Sequence, residues 1–156
     1  MAFKVAVVGR PRDPAIASAI KDYEERASRY WPLSFHELRI SGTRSASLPP
    51  ATIKLREAEK LMETVSEEAQ LVACDETGTE MNSRQFASWL TARHDSASHV
   101  VFVVGGAYGL DNRVRSSASM LLSLSRFTLP HDLARLVLAE QLYRAGTIAR
   151  REPYHK

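Results

Sequence analysis

Residues 99–110 run His99-Val100-Val101-Phe102-Val103-Val104-Gly105-Gly106-Ala107-Tyr108-Gly109-Leu110. Apolar side chains fill successive positions up to Val104, so a strand here is dry on both sides. A strand with one wet face would alternate; an unbroken run fits the centre of a mostly parallel sheet covered by helices on both faces. The glycines that end it predict a tight strand-to-helix turn, with Asp111 capping a short helix to about 118.

Working outward, the same alternation of strand and helix recurs. Phe3–Gly9 predicts a buried strand, and Gly9–Pro14 a turn. Asp13 is an N-cap with Pro14 at the first helical position of a helix over 14–29, which Trp31-Pro32 breaks. Leu33–Ile40 predicts a second strand. Ser41–Pro50 is the most loop-like stretch, followed by a charged helix over about 51–68. Gln70–Asp75 reads as a short strand and Glu76–Thr79 as a turn. Asn82-Ser83 caps a helix bearing Phe86, Trp89 and Leu90. Met120–Leu124 is a last strand, Ser125–Pro130 a loop, and His131 or Asp132 to Ala149 a long helix. The expected class is α/β in a single domain over 1–156.

Composition narrows the function classes. The chain has 156 residues, 44% of them hydrophobic and 25% charged, with a single cysteine. That length suits one domain with its own core. One cysteine excludes an internal disulfide and a thiolate metal cage. No apolar run is long enough to span a bilayer. The N-terminus lacks the basic head and long apolar body of a secretion signal, so a cytoplasmic location is expected. The net charge of +3 is unevenly spread: residues 1–60 carry +4, 61–125 carry −4 and 126–156 carry +3. Two basic ends can meet a polyanion, although solvated helix faces give the same pattern.

Four stretches carry candidate chemistry. Gly105-Gly106-x-x-Gly109 follows the central strand, where bare backbone amides can approach a ligand at the carboxyl edge of a sheet. It is neither a phosphate loop nor the dinucleotide fingerprint. Leu124-Ser125-Arg126-Phe127-Thr128-Leu129-Pro130-His131 also follows a strand, and amides flanked by Leu and Phe suit an adenine. In the bland reading it is a connecting loop, with His131 capping the helix. The last helix carries two apolar stripes, Leu133/Leu136/Val137/Ile148 and Ala134/Leu138/Leu142/Ala145. A helix apolar on two sides is buried on both or packs on a partner, and the small residues of the second stripe allow a symmetric dimer. The tail joins Arg144, Arg150, Arg151, Tyr154, His155 and Lys156, charges and rings that suit RNA phosphates and unpaired bases. Cys74 reads as a small buried hydrophobe, and the adjacent Asp75 and Glu76 as no catalytic pair. His36, His94 and His99 lack metal-ligand spacing, so no metal site is expected.

Val103–Leu110, Leu124–His131, Ala139-Glu140-Gln141-Leu142-Tyr143-Arg144-Ala145 and Pro153-Tyr154-His155 together closely resemble the RlmH-type methyltransferases of the SPOUT class. Any one of these motifs is weak; four in order at these spacings are specific. The resemblance implies an α/β fold whose C-terminal part forms a trefoil knot. It implies a homodimer that uses S-adenosyl-L-methionine (SAM) to methylate N(3) of a pseudouridine in large-subunit (23S) ribosomal RNA, on free RNA, the subunit or the ribosome. It places cofactor contacts on Cys74, Gly105, Leu124, Ser125, Arg126, Phe127, Thr128 and Leu129. Position 74 is often Leu in that family, so Cys74 is a departure: a smaller side chain weakens an apolar wall and leaves a backbone contact unchanged. Methyl transfer to N(3) needs orientation, relief of charge on the uracil carbonyls and a proton acceptor, roles given to Arg144, Tyr154 and His155. Two other readings are a ribosome-binding assembly factor without catalysis and a nucleotide-binding regulatory module. The three intact glycines favour a working cofactor site over the first, and the missing phosphate loop argues against the second.

Overall fold

A computed structural model describes residues 1–40 and 48–156, so most of the loop expected over Ser41–Pro50 lies outside the described residues. Among them, strands and helices alternate: β1 (Phe3–Val8), α1 (Pro14–Ala27), β2 (Leu33–Leu38), α2 (Pro50–Glu63), β3 (Gln70–Glu80), α3 (Ser83–Asp95), β4 (Val100–Val104), α4 (Asn112–Ser117), β5 (Met120–Ser123) and α5 (His131–Ala149). The strands form one parallel sheet in the order β2-β1-β4-β3-β5.

The central run does what its apolar character predicts: all five residues of β4 are buried, between β1 and β3. Its side chains divide between two core clusters. Val100, Phe102 and Val104 join Phe3, Val5, Val7 and Val72, and pack with Ala27 of α1, Phe86 and Leu90 of α3, and Leu138 and Leu142 of α5. Val101 and Val103 join Ala6, Val8, Leu71 and Ala73, and pack with Ala58 and Leu61 of α2 and Val114 of α4. Fully buried side chains of this size stabilise the fold by about 1.5–3 kcal/mol each.

Local signals set the helix ends. Asp13 Oδ1 accepts from the N–H groups of Ala15 (2.8 Å) and Ile16 (3.1 Å) at the start of α1. Asn82 and Gln85 form a reciprocal capping box at α3. α1 closes at Ala27, two residues before the expected end, because the Ser28 hydroxyl bonds the Glu24 carbonyl and the chain turns into Trp31. α2 stops at Glu63 rather than 68, and Thr64 Oγ1 takes the Leu61 carbonyl. Pro130, not His131, stands at the N-cap of α5, with no side-chain cap bond; His131 Nε2 lies 3.1 Å from Asp132 Oδ1.

A further expectation is corrected. The predicted turn Glu76–Thr79 belongs to β3, which runs on to Glu80. Leu122 of β5 pairs first with Cys74 and then with Thr79, so Asp75–Gly78 is extruded as a bulge. Gly78 allows this: a Cβ there would stand 2.5 Å from the backbone carbonyl carbon and oxygen of Leu121. Of the two stripes on α5, Leu138, Leu142 and Ala145 are consumed by the chain's own core. Leu133 is exposed, and Leu136 and Val137 are half-buried.

Gly78→Ala sets a methyl against backbone that cannot swing aside. It is expected to destabilise the fold by about 2–3 kcal/mol, read as a lower urea midpoint at unchanged slope.

Candidate functional site

Parallel strands place their carboxyl ends along one edge, and here three segments leave that edge side by side. Residues 105–110 follow β4, the bulge 75–78 interrupts β3, and residues 124–130 follow β5. They enclose a cavity of about 780 Å³.

The first wall is the glycine turn. Gly106 and Gly109 form an isolated antiparallel bridge, closed by a 3.1 Å bond from Gly109 N–H to the Gly106 carbonyl, and Gly109 has φ +78°. The glycines serve the turn's own packing as much as any ligand. A Cβ on Gly105 would meet the Gly109 backbone at 3.0 Å, and one on Gly106 would meet Glu57 Oε1 at 2.5 Å. Asp111 then caps α4 by accepting from Arg113 N–H at 2.9 Å.

The second wall is the bulge. Asp75 Oδ1 accepts from the Thr77 N–H and hydroxyl, and Oδ2 lies 3.0 Å from Arg115 Nε. Burial pushes the Asp75 carboxyl up, but the Thr77 hydrogen bonds and the Arg115 charge together outweigh it and hold the group below the usual carboxylate range. Beside it, burial pushes the Cys74 thiol up to about 12. Cys74 lines the cavity as an inert, half-buried group.

The third wall is latched to the second. Thr128 Oγ1 donates to Glu76 Oε2 at 2.6 Å, while the Ser123 hydroxyl and Arg126 Nη1 both donate to the Glu76 carbonyl at 3.1 Å. Within the loop, Phe127 N–H donates to Ser125 Oγ at 2.9 Å. Phe127 is 84% exposed at the cavity and Tyr108, on the opposite turn, 53%.

Of the residues expected to hold a cofactor, Cys74, Gly105, Leu124, Ser125, Phe127, Thr128 and Leu129 line this one cavity. Arg126 does not; its side chain turns away to Glu80. Arg144, Tyr154 and His155 gather elsewhere, on the far half of α5. Glu140 joins them, with Oε1 2.9 Å from Arg144 Nε and 3.0 Å from the Tyr154 hydroxyl. The Arg144 guanidinium lies over the Tyr154 ring at 4.7 Å, and its Nη1 is 3.2 Å from His155 Nδ1. An arginine N–H only donates, so Nδ1 is the acceptor there. Burial and then hydrogen bonding to Tyr23 and Glu140 push the Tyr154 hydroxyl well up, so it stays protonated. Among the residues lining the cavity, α5 contributes only its first turn, through His131 and Ala134.

Lys54, Thr77 and Arg115 also line the cavity and escaped the sequence reading. Lys54 comes from α2 and Arg115 from α4, and no local pattern sets either apart from a solvated surface cation.

A family model described as Predicted SPOUT methyltransferase matches residues 1–155. The chain belongs to this family. The Ribosomal RNA large subunit methyltransferase H of Gemmatimonas aurantiaca is 50% identical over 156 residues, covering 100% of both chains. Proteins of the same name from Anaeromyxobacter sp. and Trichlorobacter lovleyi are 40% and 39% identical, over 100% and 99% of each chain. The resemblance carried by the four motifs is thus borne out across the whole length. In this SPOUT methyltransferase the glycine turn and the Leu124–His131 motif form two walls of one cavity, and the Arg144 and Tyr154-His155 motifs form the separate cluster.

The raised Cys74 thiol gives a direct check. At pH 8 its alkylation by iodoacetamide is expected to run at least about a hundredfold slower than that of a free thiol, followed by mass spectrometry of the intact protein.

Proposed function

We propose that this chain methylates N(3) of a pseudouridine in large-subunit (23S) ribosomal RNA, with SAM as donor, as a cytoplasmic homodimer. The observation that carries the reading is the single cavity shared by the glycine turn, Cys74 and the Leu124–Leu129 loop, in a chain half identical over its full length to a large-subunit ribosomal RNA methyltransferase. The same reading gives one domain over 1–156, helices on both faces of the sheet and a C-terminal trefoil knot. It is supported by the placement of β5 beyond β3 at the sheet edge, from which α5 returns across to α1 and α3.

The residues present fit the donor. A volume near 780 Å³ lies in the range of small-molecule sites. Leu124, Phe127 and Leu129 offer an apolar slot for an adenine, and the amides of the two turns offer hydrogen bonds. The carboxylates of Asp75 and Glu76 suit a donor that carries positive charge, and Asp75 is held ionised. Cys74, Gly105, Leu124, Ser125, Phe127, Thr128 and Leu129 are the proposed binding residues, and Arg126, whose side chain turns to Glu80, joins them through its backbone alone. Bound there, SAM supplies an electrophilic methyl on a sulfonium, with no metal needed.

The chain's own residues prepare the acceptor. Arg144 opposes the negative charge that gathers on the uracil carbonyls when N(3) loses its proton. The Tyr154 ring stacks on the base and orients it. His155 takes the N(3) proton at Nδ1, once that nitrogen is released from Arg144. Ten residues of rigid helix separate Ala134 at the cavity from Arg144, roughly 15 Å. The proposed homodimer brings the tail of one subunit to the cavity of its partner; on α5, Leu133 is exposed and Leu136 and Val137 are half-buried.

Deleting Tyr154–Lys156 is expected to leave SAM affinity within about twofold of wild type by calorimetry, a shift under half a kcal/mol, while abolishing methylation. Methylation is read by mass spectrometry of ribosomal nucleosides from a strain lacking the gene, complemented with either form. Full methylation by the shortened chain would remove the tail from the site. A complemented strain with no methyl on any large-subunit pseudouridine would overturn the substrate.

A further inference from the structure

α2 buries Ala58 and Leu61 against the sheet, as an amphipathic helix does, but it buries Glu57 as well, at 7% exposure. Packing alone does not explain a carboxyl at this position, because an apolar side chain of the same volume avoids the cost of desolvating a charge. Burial raises the proton affinity of the Glu57 carboxyl, and the Gly106 N–H it faces and the charge of Lys54 offset only part of that. Among the described residues, its Oε2 is buried without a hydrogen-bond partner. The carboxyl sits against the bare Cα of Gly106: a Cβ there would fall 2.5 Å from Oε1 and 3.1 Å from Oε2. Glu57 does not itself line the cavity, whereas Gly106 and Lys54, one helical turn before it, both do.

We propose that Glu57 is a positioning residue for the cavity: its buried carboxylate, holding the Gly106 N–H from behind, fixes the Gly105–Gly109 turn in the shape that presents a wall to the methyl donor. This rests on the donor reading above for its effect on SAM, but not for its effect on the turn. The turn has its own closure at Gly106–Gly109 and its exit is fixed by the Asp111 cap. Glu57 ties the start of the turn to a neighbouring helix. Without it the N–H of half-buried Gly106 loses that acceptor, and the turn relaxes toward water, which can supply one. A Cβ at 106 would press on that carboxyl and displace it from the turn, so a bare Cα at 106 lets the two stay in contact.

The test compares Glu57→Met, which keeps the volume and removes the acceptor, with Glu57→Gln, which keeps an acceptor oxygen for the Gly106 N–H. In amide hydrogen exchange of the ligand-free protein, residues 106–110 are expected to exchange about tenfold faster in Glu57→Met. Glu57→Gln is expected to match wild type there, with protection in β1, β4 and α5 unchanged in both. SAM binding by calorimetry is expected to weaken about tenfold in Glu57→Met and to recover in Glu57→Gln, while kcat at saturating SAM stays within about threefold of wild type. If Glu57→Met does not fold, Glu57→Asp decides in its place, since it withdraws the carboxylate by one methylene and is expected to release the same amides. Unchanged exchange over 106–110 in the folded variant overturns the proposal. So does a fall in kcat with SAM affinity intact. Faster exchange in a protein whose wild type binds no SAM leaves Glu57 as the support of the turn and sinks the donor reading instead.

Discussion

Leu122 pairs twice with β3, once with Cys74 and once with Thr79, and the site depends on that doubled register. Four residues of β3 have no place in the ladder, so they are pushed out at the carboxyl edge. Gly78 pays for the crossing by lacking a Cβ where the chain lies against Leu121. The extruded residues then act as the frame of the cavity. Asp75 faces Arg115 on one side, and the Glu76 backbone and side chain tie down Ser123, Arg126 and Thr128 on the other. A β3 that simply ended at Asp75 would leave the loop after β5 without these anchors.

A second set of charges holds the opposite side of α5. Arg135, 6% exposed, reaches Glu24 of α1 at 2.7 Å and Glu37 of β2 at 2.8 Å, and Glu37 also meets Arg10 at 3.2 Å. Burial raises the Glu24 carboxyl, while the hydrogen bond and charge of Arg135 offset part of that shift. Ion pairs around a buried arginine add little net stability compared with apolar packing, but removing the carboxylates leaves the buried Arg135 charge without compensation. Its consequence is geometric: three elements distant in sequence share one guanidinium. The rotation of α5 is fixed by it, and with it the side chains that α5 turns toward the cavity and away from the core.

Much of this was legible in the sequence because it is local. The unbroken apolar run of β4, the caps Asp13 and Asn82, and the Pro14 start of α1 each depend on residues a few positions apart. The cavity's two main walls were legible as motifs for the same reason. The bulge was not, because Glu76–Thr79 looks like a turn until β5, more than forty residues later, supplies the partner that Thr79 and Glu80 pair with. Arg135 and Glu57 were passed over because burial of a charged side chain depends on elements far along the chain. Lys54 and Arg115 were passed over because the bulk of the basic side chains sit on solvated faces, and only the fold distinguishes the two. The two stripes of α5 were visible, yet the sequence could not say which would be spent on the chain's own core. Leu138, Leu142 and Ala145 are, and the small residues that hinted at a partner serve internal packing instead.

That outcome bears on how the tail and the cavity are related. A straight helix is a spacer of fixed length, and α5 begins at the cavity and carries Arg144 on its fourth turn. No change of rotamer shortens that distance, and the tail after Ala149 folds back onto the same half of the helix, where the Tyr154 ring lies 4.6 Å from that of Tyr143. Glu140 gathers Arg144 and Tyr154 into a preformed unit rather than leaving them to reach toward their own cavity. The cluster is thus built at one end of a helix whose other end lines the cavity. The side chains α5 leaves half-covered or exposed, Leu133, Leu136 and Val137, lie on the half nearest the cavity. The cluster at one end of α5 and the cavity at the other are the two features that the proposed homodimer accounts for.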